Sequence, residues 1–180
     1  SGQLLAQLQG HSEWIHDAAF SPDGERIVTA SYDGTVRLWN ADPAAHANPA
    51  VLLAAVDQYE NGGVDHLEFS ADGRRLLSGD DWGNVYVWDA NTSALISRLR
   101  HDDVPPRSIS SGRQPVFLAR GSSVLTWEGG KGTLHVQDIQ TGQEVPPPFA
   151  IPNSQSVKRL EFSADRTKAL VLFSGGRMRL

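Results

Sequence analysis

The chain has 180 residues with a formal net charge of −5, 39% hydrophobic and 21% charged residues, 17 Gly and 10 Pro. That balance fits a folded globular protein rather than a disordered one, and its negative sign argues against phosphate-backbone binding as the main task. No apolar run approaches the roughly 20 residues a membrane-spanning helix needs, and the absence of Cys excludes disulfides and thiolate metal sites.

In chain order, the first unit predicts four short strands, at about 3–8, 14–20, 25–31 and 34–39. Turns at Ser21-Pro22-Asp23-Gly24 and Tyr32-Asp33-Gly34 join them, with Pro presetting φ and Gly supplying a conformation other residues resist. Val36-Arg37-Leu38-Trp39 alternates with period two, which points to a strand rather than a helix. A shift of 49 residues lays this unit on the next: Phe20, Ser21, Asp23, Gly24, Arg26, Gly34, Val36, Trp39 and Ala41 fall on identical residues at 69, 70, 72, 73, 75, 83, 85, 88 and 90. A third, worn copy is marked by Gly132-Thr133-Leu134-His135-Val136-Gln137-Asp138, where Gln137 stands in the Trp position. A fourth repeats Glu68-Phe69-Ser70-Ala71-Asp72 as Glu161-Phe162-Ser163-Ala164-Asp165. The units run over approximately 3–40, 51–89, 94–138 and 143–180. A recurrence at this period is the sequence mark of a stacked or radial repeat fold.

Gly10-His11, Ser21-Pro22-Asp23-Gly24, Asp33-Gly34 and Trp39-Asn40 together resemble one full WD40 repeat, and Trp88-Asp89 gives the signature dipeptide in the second. The resemblance implies an all-β propeller of four-stranded antiparallel blades, each repeat giving the outer strand of one blade and three inner strands of the next. On that phase residues 3–8 would be an outer strand. The resemblance also implies a structural hydrogen-bond tetrad, which falls here on His11, Thr29, Asp33 and Trp39. Ser78 and Trp88 keep part of it in the second unit, where Trp82 takes the Asp position and Glu60 lies near the His position. In the fourth unit Val171 and Gly175 replace two members. Units three and four are therefore expected to be the less stable.

Rings of this family usually have more blades than four, and the chain opens on Ser and stops at Leu180 in a strand-like stretch. The intact protein is expected to be longer at both ends, with fused domains. The six His residues, at 11, 16, 46, 66, 101 and 135, do not converge as a metal site needs, although His66 with Glu68 and His11 with Glu13 form local pairs. No Gly-x-Ser-x-Gly elbow is present, and Gly129-Gly130-Lys131-Gly132-Thr133 lacks the Lys-Ser/Thr step of a phosphate loop. No catalytic residue, metal or cofactor is assigned. The expected role is a non-catalytic, cytoplasmic scaffold that binds a protein or peptide, with neither nucleic acid nor membrane as partner. Contacts are expected from loop residues Trp14, His16, Tyr32, Tyr59, Asp81 and Trp82. The rival reading is an enzyme or small-ligand-binding propeller with its site in the channel, which would need His, Asp or Glu converging at equivalent blade positions.

Overall fold

A computed structural model describes residues 4–42, 44, 51–55, 63–80, 84–99, 115–118, 121–127, 134–147, 157–163, 168–173 and 178–179. Fifteen strands and no α-helix occur among them: β1 (Ile15–Phe20), β2 (Arg26–Ser31), β3 (Thr35–Asn40), β4 (Val51–Ala55), β5 (Val64–Phe69), β6 (Arg75–Asp80), β7 (Val85–Asp89), β8 (Leu95–Leu99), β9 (Val116–Leu118), β10 (Ser123–Trp127), β11 (Leu134–Asp138), β12 (Glu144–Val145), β13 (Val157–Phe162), β14 (Ala169–Phe173) and β15 (Met178–Arg179). They form four antiparallel sheets in chain order, β1-β2-β3-β4, β5-β6-β7-β8, β9-β10-β11-β12 and the three-stranded β13-β14-β15. Each four-stranded sheet takes its outer strand from residues beyond its own Trp-position strand, so the sheets are offset from the sequence units.

Residues 4–10 form no strand, contrary to the expectation of an outer strand at 3–8. An outer strand needs the third strand of another sheet as partner, and none of the described residues pairs with this segment. The segment instead delivers Gly10 and His11 against the first sheet. A Cβ on Gly10 would lie 2.6 Å from the end of the Arg37 side chain, which would have to move aside.

Register reproduces the repeat shift. Arg26 pairs with Asn40 and Ile27 with Trp39, as Arg75 pairs with Asp89 and Leu76 with Trp88. In the third sheet Gln137 pairs with Val124 at the same place, and in the fourth Met178 opposes Leu172 as Val85 opposes Gly79. Period-two alternation then sends alternate side chains to opposite faces, and one face of each sheet packs on the next. Val28, Val36 and Leu38 of the first meet Leu67, Phe69, Leu76 and Trp88 of the second. Leu77, Val85 and Val87 meet Phe117 and Val124 of the third, whose Leu125, Leu134 and Val136 meet Val171 and Phe173 of the fourth. Every such side chain removed from water contributes roughly 1.5–3 kcal/mol, which makes these interfaces the core.

Candidate functional site

The turn that joins β2 to β3 is built by a connected polar network. Trp39 Nε1–H donates to Thr29 Oγ1 at 2.8 Å, and Thr29 Oγ1 lies 2.6 Å from His11 Nε2, whose Nδ1 lies 2.8 Å from Asp33 Oδ2. One tautomer satisfies the whole series: Thr29 O–H donates to Nε2, and Nδ1–H donates to the carboxylate. Asp33 also accepts from the Ser12 amide, the Thr35 amide and the Thr35 hydroxyl. Burial would raise the Asp33 pKa, but hydrogen bonds from Thr35, His11 and the Ser12 and Thr35 amides outweigh it and lower it to about 2. The four residues named in the sequence as a tetrad thus touch one another. Thr35, the fifth member, occupies a position that sequence spacing did not single out.

The second sheet builds its turn differently. Trp88 Nε1–H donates to Ser78 Oγ at 3.0 Å, the part of the tetrad that falls among the described residues. Asp80, which precedes the candidate contacts Asp81 and Trp82, is buried and accepts from the Asn84 amide at 2.9 Å and the Asn84 side-chain Nδ2–H at 2.8 Å. A carboxylate thus bonds an Asn four residues on at both its backbone and its side chain. Glu60, Trp82 and Gly175 lie outside the described residues, and so do the candidate contacts Tyr59 and Asp81.

Three of the six candidate contacts lie together at this end of the first sheet. Tyr32 N–H donates to Trp14 O at 3.0 Å, and the His16 ring meets the Tyr32 ring edge-on at a centroid distance of 5.2 Å. Trp14 is 80% exposed and Tyr32 47% exposed. Beneath them Ser31 Oγ–H donates to Glu13 O at 3.2 Å and Asp33 N–H to Ser31 Oγ at 3.1 Å, so the tetrad turn and the aromatic cluster share a base. Tyr32 also leans on the second sheet, where a Cβ on Gly63 would lie 2.4 Å from its ring. The exposed Glu13 and the part-exposed Asp17 and Asp65 give the surroundings a negative sign.

Among the described residues no three His, Asp or Glu side chains gather as a metal group. His11 spends both ring nitrogens inside the tetrad, and Glu68 Oε2 accepts from the Phe117 amide of the next sheet at 2.8 Å. No helix of the described residues is long and apolar enough to cross a membrane.

Consecutive antiparallel sheets stacked face to face in this way define a propeller-type repeat protein. The family model for the WD domain, G-beta repeat, matches residues 2–40 and 52–89, so the chain carries that repeat in those two segments. It is 42% identical over 53 residues to the apoptotic protease-activating factor 1 of Danio rerio, a stretch covering 29% of this chain and 4% of the relative's length. The computationally designed Ika4 protein superposes with a TM-score of 0.64 at 25% identity, covering 99% of this chain and 97% of the other. The designed Ika8 protein gives a TM-score of 0.63 at 24% identity, covering 97% of this chain and 47% of that longer one. WD40-repeat proteins generally hold protein partners and are generally not enzymes.

Proposed function

We propose that this chain is a non-catalytic docking module that holds a protein or peptide at the turn end of its first blade, through Trp14, His16 and Tyr32. The observation that carries the reading is an indole left almost wholly in water on a backbone fixed by hydrogen bonds and by a fully connected polar turn. A large aromatic group held in advance of contact loses little conformational entropy on binding, and Trp and Tyr dominate the energetics of interfaces. Carboxylates beside it favour a basic segment over nucleic acid or an anionic membrane surface. The setting that goes with this role is cytoplasmic, as the docking portion of a larger WD40 protein.

The test is affinity capture with the intact chain beside Trp14→Ala and Tyr32→Ala variants. A stoichiometric partner bound by the parent and weakened at least about tenfold by either change supports the reading, since a hot-spot truncation costs about 2 kcal/mol or more. A partner retained equally by both variants removes it. Turnover by the chain in a hydrolase panel, or stoichiometric bound metal, would favour a channel site instead.

A further inference from the structure

Ile15 pairs with Ser31 as Val64 pairs with Asp80, so Gly63 stands in the second blade where Trp14 stands in the first. The backbone of Gly63 is not left-handed, and what the residue supplies is room. A Cβ there would overlap Tyr32 Cδ1 and lie 3.0 Å from both Tyr32 Cα and Cε1. Because a backbone atom and the base of the ring are met together, rotating the phenol clears only part of the clash. An indole at this place, as in the first blade, would take the volume that the Tyr32 ring fills.

Tyr32 is fixed from the first blade as well. The two inner strands change register at the same point, β1 between Ile15 and Asp17 and β5 between Val64 and His66. An irregularity of this kind re-aims the side chain it carries. His16, at that point of β1, turns toward the second blade, where its Nδ1–H donates at 3.3 Å to the carbonyl of Asp65, the matching residue of β5. Its ring meets Tyr32 edge-on. One residue further on, Asp17 Oδ2 accepts from the Leu67 amide at 2.8 Å. The two blades are thus tied beside a ring that is still 47% exposed.

We infer that Gly63 is a positioning residue of the docking site, and that the site crosses the seam between the first and second blades instead of ending at the first. The inference rests on the docking role proposed above and deepens it: the partner's segment lies over Tyr32 and runs onto the second blade. Both walls of the seam are strands of the chain, β1 and β5. Asp17 and Asp65, one on each, are part-exposed and keep it negative, so the occupant is a basic segment. A phenol held between Gly63 and His16 meets that segment without first losing rotamer freedom, which is how the glycine contributes to affinity.

A fluorescein-labelled octapeptide of alternating Arg and Gly serves as the probe, its Glu-Gly counterpart as the control, and anisotropy reads binding to the whole chain. The parent should bind the first peptide and not the second. Tyr32→Ala should weaken binding about tenfold and Gly63→Ala at least about fivefold, and adding Gly63→Ala to Tyr32→Ala should change nothing more, because residues acting through one ring do not add. Gly63→Ala should also move the Tyr32 and His16 ring-proton resonances while leaving the amides of β7 and β8 in place, a readout that needs no partner. Equal binding by the parent and Gly63→Ala, with Tyr32→Ala weakened, overturns the positioning role and leaves the docking reading standing. Losses that multiply in the double variant do the same. Equal binding by the parent and Tyr32→Ala, or none by the parent, removes the docking reading together with this inference. Should Gly63→Ala fail to fold, the double variant decides. It folds if the clash was with the ring, and it stays unfolded if Gly63 serves β5 itself, which overturns the assignment.

Discussion

Asp33 collects hydrogen bonds from His11, Ser12 and Thr35, and its side chain is 6% exposed, so its charge is held in place rather than solvated. Its folded pKa, about 2 against 3.8, lies below the unfolded one, so its stabilisation is complete above pH 4 and is lost as pH falls through 2. After allowance for solvent screening that is about 1–2 kcal/mol. Asp33→Asn should therefore be less stable than the parent at pH 7, and the gap in urea unfolding free energy should narrow between pH 4 and pH 2. A gap independent of pH would show that the charge is not what the network holds. The residue following the Trp position has a separate task. Asp89 Oδ1 accepts from the Asn91 and Thr92 amides, Asp138 Oδ1 from those of Gln140 and Thr141, and Asn40 Oδ1 from that of Asp42. The Asp of the signature pair thus starts a turn, which is why it persists in the third unit after the Trp has become Gln137. In that turn Ser93 has φ of 62°, at the place where Gly142 has 67°. Left-handed backbone disfavours any side chain with a Cβ, so Ser93→Gly should stabilise by about 0.5–1 kcal/mol, read as a rise of roughly 1–4 °C in melting temperature.

Between elements, Arg26 reaches from the first turn of one blade to two carbonyls of the next and lies 5.7 Å from the Phe69 ring centroid. Arg26→Ala should cost about 1.5–3 kcal/mol in denaturant unfolding, since charged donors to partly buried carbonyls are lost together with packing. Arg26→Lys should recover only part, because a point charge cannot fork between two acceptors. Loss below half a kcal/mol would show that the clasp is incidental. The identity of Arg26 and Arg75 was plain in the sequence, but its meaning was not. The acceptors are backbone carbonyls, which any residue supplies, so no side-chain signature marks them. The tetrad was legible for the opposite reason: His11, Thr29, Asp33 and Trp39 are all side chains of distinctive type, and both Trp–hydroxyl bonds, Trp39 to Thr29 and Trp88 to Ser78, span ten residues. The Asp80–Asn84 pair escaped notice because the family pattern drew attention to position 82 instead. The missing strand at 3–8 followed from treating a local alternation as sufficient when pairing needs a neighbouring edge.

At the scale of the whole molecule, the sheets contribute to stability through the neighbours each one has, as in any repeat stack. β6 is covered on both faces, with Leu76 packed toward the first blade and Leu77 toward the third, both fully buried. Among the described residues β14 packs on the third blade through Val171 and Phe173, and the two-residue strand β15 lies at its edge. Among the described residues the polar locks differ as well: a full tetrad in the first blade, Trp88 to Ser78 in the second, and in the third a buried Gln137 Oε1 without a hydrogen-bond partner. Opening free energy should therefore fall along the chain from the second blade onward. Native-state hydrogen exchange should find the amides of β6 slowest, those of β10 and β11 faster, and those of β14 and β15 fastest. Gln137→Leu, which removes the orphaned carbonyl, should slow β10 and β11 by up to about tenfold, the equivalent of roughly 1 kcal/mol, while leaving β2 unchanged. Exchange that is uniform across all four sheets would mean that the stack opens as one unit and that its interfaces, rather than its individual turns, set the stability.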